Sequence, residues 1–249
     1  MTLARSGRVL AILALCLALW QGLILATGLP PFLLPGPEAV ARALLSHHAV
    51  LTLATLRTVT EILAGFALGA GIGAALAVLM AAFPRLAQAM RPVLLLSQVI
   101  PTFALAPILT LWLGYGMAPK IVVAALICFF PVASAFLDGL ERTSPACLDL
   151  ARTMGARKWR VMAHLRVPMA LPMLGSGLTL AAVYAPIGAV IGEWVGGSEG
   201  LGAVMIHANG RMRIDLTFAA LALVTLIALA FHALVGAVVN RAFGRFAPS

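Results

Sequence analysis

Three acidic residues stand in or beside long apolar runs: Glu61, Glu193 and, at the edge of a run, Asp138. An ionisable group at membrane depth is costly to keep, so each is a candidate for contact with a polar solute or for an internal ion pair. Glu61 follows Arg57 by four residues, which suits an i,i+4 pair on one helix face. Glu193 adjoins Trp194 between Gly192 and Gly196, where it could meet a solute, meet a partner protein or stand in water. Tyr184, two residues before Pro186, offers a ring and a hydroxyl suited to a flat heterocycle, and suits core packing equally. These groups do not assemble a reaction. His47, His48, His164, His207 and His232 are scattered, and two adjacent histidines on a regular helix cannot both face one ion. Cys16, Cys128 and Cys147 are odd in number and match no metal spacing. No serine has the neighbours of a nucleophile. No G-x-x-x-x-G-K-S/T segment is present, so the chain lacks a phosphate cradle for ATP. The expectation is a protein that is not an enzyme and holds neither metal nor cofactor.

The elements that carry these residues read as membrane spans. Of 249 residues 62% are hydrophobic and only 10% charged, with a mean hydropathy of +1.06. Soluble domains run nearer a quarter charged, and a soluble fold of this length could not hide so much apolar surface. The net charge of +9 does not argue for nucleic acid, because the basic residues sit in short gaps between apolar runs rather than on a polar stripe. Six runs recur, at about 9–29, 58–83, 93–114, 120–138, 170–195 and 216–239. The first is about 20 residues long, the length of a span rather than of a signal-peptide core, and no clear small-residue cleavage site follows it. A shorter segment, 37–46, follows Pro35-Gly36-Pro37 and reads as an interfacial helix. With both termini in the cytoplasm, twelve Lys and Arg fall inside (Arg5, Arg8 and Arg245 among them) and five outside: Arg42, Arg57, Lys120, Arg211 and Arg213. Trp112, Tyr115 and Trp194 then close spans at the outer interface.

Proline is frequent inside the runs: Pro101 and Pro107 in the third, Pro131 in the fourth, Pro172 and Pro186 in the fifth. Each removes a backbone donor, and the freed carbonyls need a neighbour or a wet cavity. Pro101 with Thr102, and Tyr184, Pro186 and Glu193, are therefore candidates for a solute pathway, with packing kinks as the alternative. Gly65, Gly69 and Gly73 form one ladder at every fourth position, and Gly188, Gly192 and Gly196 another. Such stripes permit close helix approach, within a bundle or across a dimer.

The most basic connection runs from 141 to 168 and falls on the cytoplasmic side. Ser144 can cap a helix with Pro145 at its first position, and Gly155 stands where that helix should stop. Cys147, Ala151 and Met154 fall on one face. A second helix, holding Arg157, Lys158, Trp159 and Arg160, runs to Pro168. A short helix with an apolar face between two spans suits docking onto a protein, or anchoring on anionic headgroups.

This segment resembles the cytoplasmic motif of binding-protein-dependent ABC importer permeases: E-A-A, three residues, G, nine residues, then I-x-L-P. Asp149-Leu150-Ala151 stands at E-A-A, Gly155 at the glycine, and Leu165-Arg166-Val167-Pro168 at I-x-L-P. Leu150 for alanine is the largest departure and falls on the docking face. The resemblance covers roughly Thr52 to Arg241. Ile100-Pro101, Ala104-Leu105-Ala106-Pro107, Trp112-Leu113-Gly114-Tyr115-Gly116, Phe129-Phe130-Pro131 and Asp138-Gly139-Leu140 resemble the taurine, alkanesulfonate and nitrate subgroup. Within it, the stretches Asp149 to Ala156 and Ala185 to Gly196 look like permeases for hydroxymethylpyrimidine-type thiamine precursors. The resemblance implies an all-α integral membrane fold of about six spans with a coupling helix between the fourth and fifth. It divides the chain into an N-terminal span and periplasmic helix, 1–51, and a type-1 transmembrane domain, 52–245. It implies coupling through Asp149, Leu150, Ala151, Met154, Gly155, Ala156 and Pro168. The expected setting is the bacterial inner membrane, with membrane lipid around a homodimer, two copies of a separate ATPase subunit, and a periplasmic or lipid-anchored substrate-binding protein. A secondary transporter would instead predict ionisable pairs deep in the spans or inverted repeats, and neither is evident in the sequence.

Overall fold

The computed structural model describes residues 2–244, with the side chains of all but 2–6, 8–10 and 13. Arg245 and the side chains of Arg5 and Arg8 lie outside the described part. The helices are α1 (Thr2–Thr27), α2 (Pro37–Ser46), α3 (His48–Ala82), α4 (Pro84–Val99), α5 (Thr102–Leu113), α6 (Met117–Glu141), α7 (Pro145–Thr153), α8 (Lys158–Val161), α9 (Val167–Gly196), α10 (Leu201–Gly210) and α11 (Ile214–Phe243). A π-helical turn, Met162–Arg166, joins α8 to α9.

Among the described residues four helices are long and apolar enough to cross a membrane: α3, α6, the run Lys158–Gly196 and α11. The expected third span is not one helix. It breaks at Ile100-Pro101 into α4 and α5, which meet at 98°. Ile100 is extended there (φ −73°, ψ 119°), because proline excludes the helical conformation from the residue before it. Pro131, Pro172 and Pro186, by contrast, sit inside unbroken helices. Counting the bent pair once gives five crossings among the described residues, so the six expected are not reached there. The described apolar part of α1, Ala14–Thr27, is shorter than a full crossing. The segment read as an interfacial helix is α2, which buries Val40 and Ala43.

The bundle is built around α6. A Cβ on Gly65, Gly69 or Gly73 would run into Ala124, Ala125, Cys128 or the Phe129 carbonyl of α6. On the other ladder, Gly188 lies against Ala124, Gly192 against Lys120 and Gly196 against Thr110. Both stripes therefore serve close packing inside the bundle, not contact across a dimer. Ala181, Ala182, Ala185 and Ala189 continue the second interface around buried Cys128 and Val132.

Candidate functional site

At one end of the bundle α7 forms one wall of an exposed groove. Pro145 opens the helix, although Ser144 makes no side-chain capping bond. Gly155 closes it at φ +73°, its N–H donating to the Arg152 carbonyl and that of Ala156 to the Ala151 carbonyl, both at 2.9 Å. This pair is the Schellman arrangement, and it requires the left-handed conformation that glycine adopts without penalty. Leu150, Ala151, Met154 and Ala156 line the groove together with Cys147 and Trp159. Leu150 and Met154 of α7 are 62% and 76% exposed and Trp159 of α8 is 59% exposed, a large apolar surface between two helices that have no buried residue of their own. Asp149 is turned to the solvent side, paired with Arg152 at 2.7 Å. Pro168 is apart from the groove, in the first turn of α9.

What ties this groove to the spans is a residue not singled out in the sequence. Arg166 donates through Nε to the Leu140 carbonyl and through Nη1 to the Ala81 carbonyl, each at 3.0 Å. These carbonyls end α6 and α3, where helix C-termini leave acceptors unpaired and favour a cation. One guanidinium thus fastens the segment after α7 to two spans. Arg91 adds a link from α4, donating to both Glu141 oxygens at 2.6 and 2.7 Å.

A cavity of about 520 Å³ lies at the α4–α5 break, between α5, α6 and α9. Pro101, Thr102 and Tyr184 line it. Ser97, Gln98, Ser134 and Asp138 add polar groups to walls that are otherwise apolar, and no Lys, Arg or His is among the lining residues. Pro186 and Glu193 do not reach it. Pro186 is buried inside the bundle, and Glu193 is fully buried elsewhere. The fold turns one face of α9 to the cavity and the other to α6, and the prolines of an apolar run do not announce which face they share.

Glu193 belongs to a buried polar network toward the other end of the bundle. Its Oε1 accepts from the Thr58 hydroxyl at 2.6 Å, and its Oε2 accepts from the Gly202 N–H. Thr58 in turn accepts from the Leu201 N–H at 2.9 Å. The carboxylate and the hydroxyl thus satisfy the unpaired donors at the start of α10. A Cβ on Gly200, at φ +108°, would fall on the Glu193 carboxylate. Beside it, Lys120 donates to Glu61 at 2.9 Å and to the Glu199 carbonyl at 2.8 Å. Glu61 therefore does not pair with Arg57, which reaches Glu199 instead at 3.1 Å. The i,i+4 expectation fails because α6 brings a lysine to the buried face of α3 while Arg57 stays on the rim.

The description "Binding-protein-dependent transport system inner membrane component" matches the chain over residues 67–245. A probable ABC transporter permease protein of Haemophilus influenzae is 45% identical over 223 residues, 90% of this chain and 91% of that one. A riboflavin transport system permease protein of Chloroflexus aurantiacus is 38% identical over 90% of this chain and 84% of its own. A formylaminopyrimidine transport permease protein of Halalkalibacterium halodurans is 40% identical over 69% of each. Among solved structures, inward-facing forms of the MetNI methionine ABC transporter superpose with a TM-score of 0.63 at 20% identity, covering 78% of this chain and 98% of that one. That likeness concerns the fold.

Proposed function

The chain belongs to the binding-protein-dependent transport system inner membrane components, and from that premise we propose that it is the permease through which an ABC importer admits a thiamine-precursor pyrimidine. As an ABC importer permease it works with an ATPase subunit and a substrate-binding protein. In the finer reading two copies of this chain face each other across the cavity. Two ATPase subunits seat in the α7 grooves on the cytoplasmic side, where both termini lie, and ATP is hydrolysed there rather than on this chain. Closure of the ATPases moves α7, and Arg166 carries the movement to the ends of α3 and α6.

The character of the α4–α5 cavity carries the substrate reading. It offers a tyrosine ring, amide and hydroxyl groups and one carboxylate, with no cation among its lining residues. An aminopyrimidine finds stacking and an acceptor for its amino group there. A sulfonate or nitrate would lose its water beside Asp138 with no positive charge to replace it. The riboflavin and formylaminopyrimidine permeases among the relatives support the same direction. Taurine, alkanesulfonate or nitrate-type anions remain the second reading, on the sequence resemblance and on the aliphatic sulfonate and taurine transport permeases among the relatives, at 27% and 25% identity.

The test is growth on an external pyrimidine. In a host carrying all subunits, synthesis of the thiamine pyrimidine is blocked and this gene deleted. Low hydroxymethylpyrimidine or its aminomethyl relative is then supplied. Growth that fails without the gene and returns with it supports the reading. Unchanged growth overturns the pyrimidine assignment and moves sulfonates to the front.

A further inference from the structure

A second cavity, about 460 Å³, lies at the end of the bundle away from α7, between the start of α3, α10 and the start of α11. It shares no residue with the α4–α5 cavity. The charge pattern around it is uneven. Of the five cations expected on this side, Arg42 pairs with Glu38, Arg57 with Glu199, Lys120 with Glu61 and Arg213 with Asp215. Arg211 has no acidic partner among the described residues, and it lines the cavity beside Arg57 and Arg213. The turn that presents it is bought with strain: Met212, between the two arginines, is a non-glycine residue at φ +58°. Arg213 also donates to His47 at 3.0 Å on the cavity's far wall. Of the three arginines on the cavity, Arg57 is held by Glu199 and Arg213 by Asp215, which leaves Arg211 as the one without a counter-charge among the described residues.

The remaining walls are apolar. Val50 and Leu53 of α3 are 55% and 64% exposed, and Leu216 opens the apolar run of α11. At 35 residues α3 is roughly 52 Å long, more than a hydrocarbon core of about 30 Å requires, so its first turns reach the headgroup level. A phosphate seated on Arg211 would stand at that level, with acyl chains running down Val50 and Leu53. A soluble anion or an acidic protein side chain would use the cations and leave the apolar wall uncovered. We propose that this cavity binds the phosphate headgroup of an anionic membrane lipid, with Arg211 as its principal contact and the arginine fork as the reason for its choice.

Native mass spectrometry of the full chain in a neutral detergent tests this, with phosphatidylglycerol and phosphatidylcholine added in parallel. The wild type retains one phosphatidylglycerol per chain in preference to phosphatidylcholine. Arg211→Gln weakens that retention about tenfold, the worth of one charge-assisted hydrogen bond. Arg42→Gln, on the pair with Glu38, leaves it unchanged. Equal retention of the two lipids by the wild type, or unaltered retention by Arg211→Gln, overturns the proposal. So does displacement of the lipid by millimolar inorganic phosphate, which would make the cavity a simple anion site. If Arg211→Gln instead weakens capture of the substrate-binding protein and spares lipid retention, the occupant is an acidic side chain and the lipid assignment fails.

Discussion

Lys120→Met should be among the most damaging single changes in this chain, and its cost can be worked from the network around it. Lys120 is 3% exposed and Glu61 is fully buried, so neither can turn to water when the other is lost. Removing the ammonium leaves a buried carboxylate without its counter-charge, about 3–5 kcal/mol. It also removes the donor to the Glu199 carbonyl, about 1 kcal/mol more. Removing both partners is a different perturbation. The second oxygen of Glu61 has no hydrogen-bond partner, so the pair is under-satisfied even when intact. Replacement of such a pair by apolar groups of similar volume is often neutral. Lys120→Met with Glu61→Met should therefore fall within roughly 2 kcal/mol of the wild type, the residual being the lost Glu199 bond and imperfect packing. Unfolding free energies in mixed micelles, measured around the full double-mutant cycle, give the comparison. Glu61→Met strands the buried ammonium at a similar cost of about 3–5 kcal/mol, so a coupling energy of roughly 5 kcal/mol or more is expected. If the two single changes add, so that the double variant is the least stable of all, the ion pair is not what holds α3 to α6 and the reasoning is refuted.

Two further outcomes concern the α7 end. At Gly155 a Cβ would meet nothing within 4 Å, so any penalty comes from the φ of +73° and from whatever docks in the groove. Gly155→Asn should keep most uptake, because asparagine tolerates that conformation, whereas Gly155→Val and Gly155→Arg should abolish it while the protein still inserts. Uptake assays paired with immunoblots of the membrane fraction check this, and normal uptake by Gly155→Arg would sink the coupling assignment. Arg166→Ala loses both carbonyl bonds, roughly 3 kcal/mol of connection between α7 and the spans. It should leave ATPase hydrolysis running in the assembled complex while uptake stops, and Arg166→Lys, which cannot fork, should restore little. Parallel loss of hydrolysis and uptake would speak against a transmitting role.

How much of this was readable beforehand depends on the range of each interaction. The start of α7 at Pro145, its end at Gly155 and its exposed apolar face rest on residues within one or two turns of each other, and the sequence displays them. Asp149, by contrast, belongs to the same motif but pairs with Arg152 outside the groove. The break at Ile100-Pro101 had a local cause, but the uninterrupted apolar run across it reads as one span. Glu61 and Glu193 drew attention as acids in apolar surroundings, yet their partners lie 59 and 135 residues away. Lys120 reads as an outer-side cation in the sequence because only the packing of α3 against α6 makes it a buried one. Arg166 stands in the sequence at the unspecified position of I-x-L-P, and nothing in its neighbours reveals two helix ends converging on it.

The glycine stripes also limit what this chain can do as a machine. Along the glycine stripes α3 and α9 are seated on α6 at backbone contact, and at those positions no side chain stands between them to change rotamer and take up a slide. Axial displacement of one helix past another would drive alanine methyls and lysine methylenes into main-chain atoms. The three helices therefore form a slab of fixed thickness, whose remaining freedom is to tilt as a whole. Relative motion is left to the periphery: α4 and the start of α5, at their 98° corner, and α11 along the other side. Any opening and closing of a passage must be read as the slab rocking against those margins, a motion with few coordinates and a geometry set by residues that have no side chain at all.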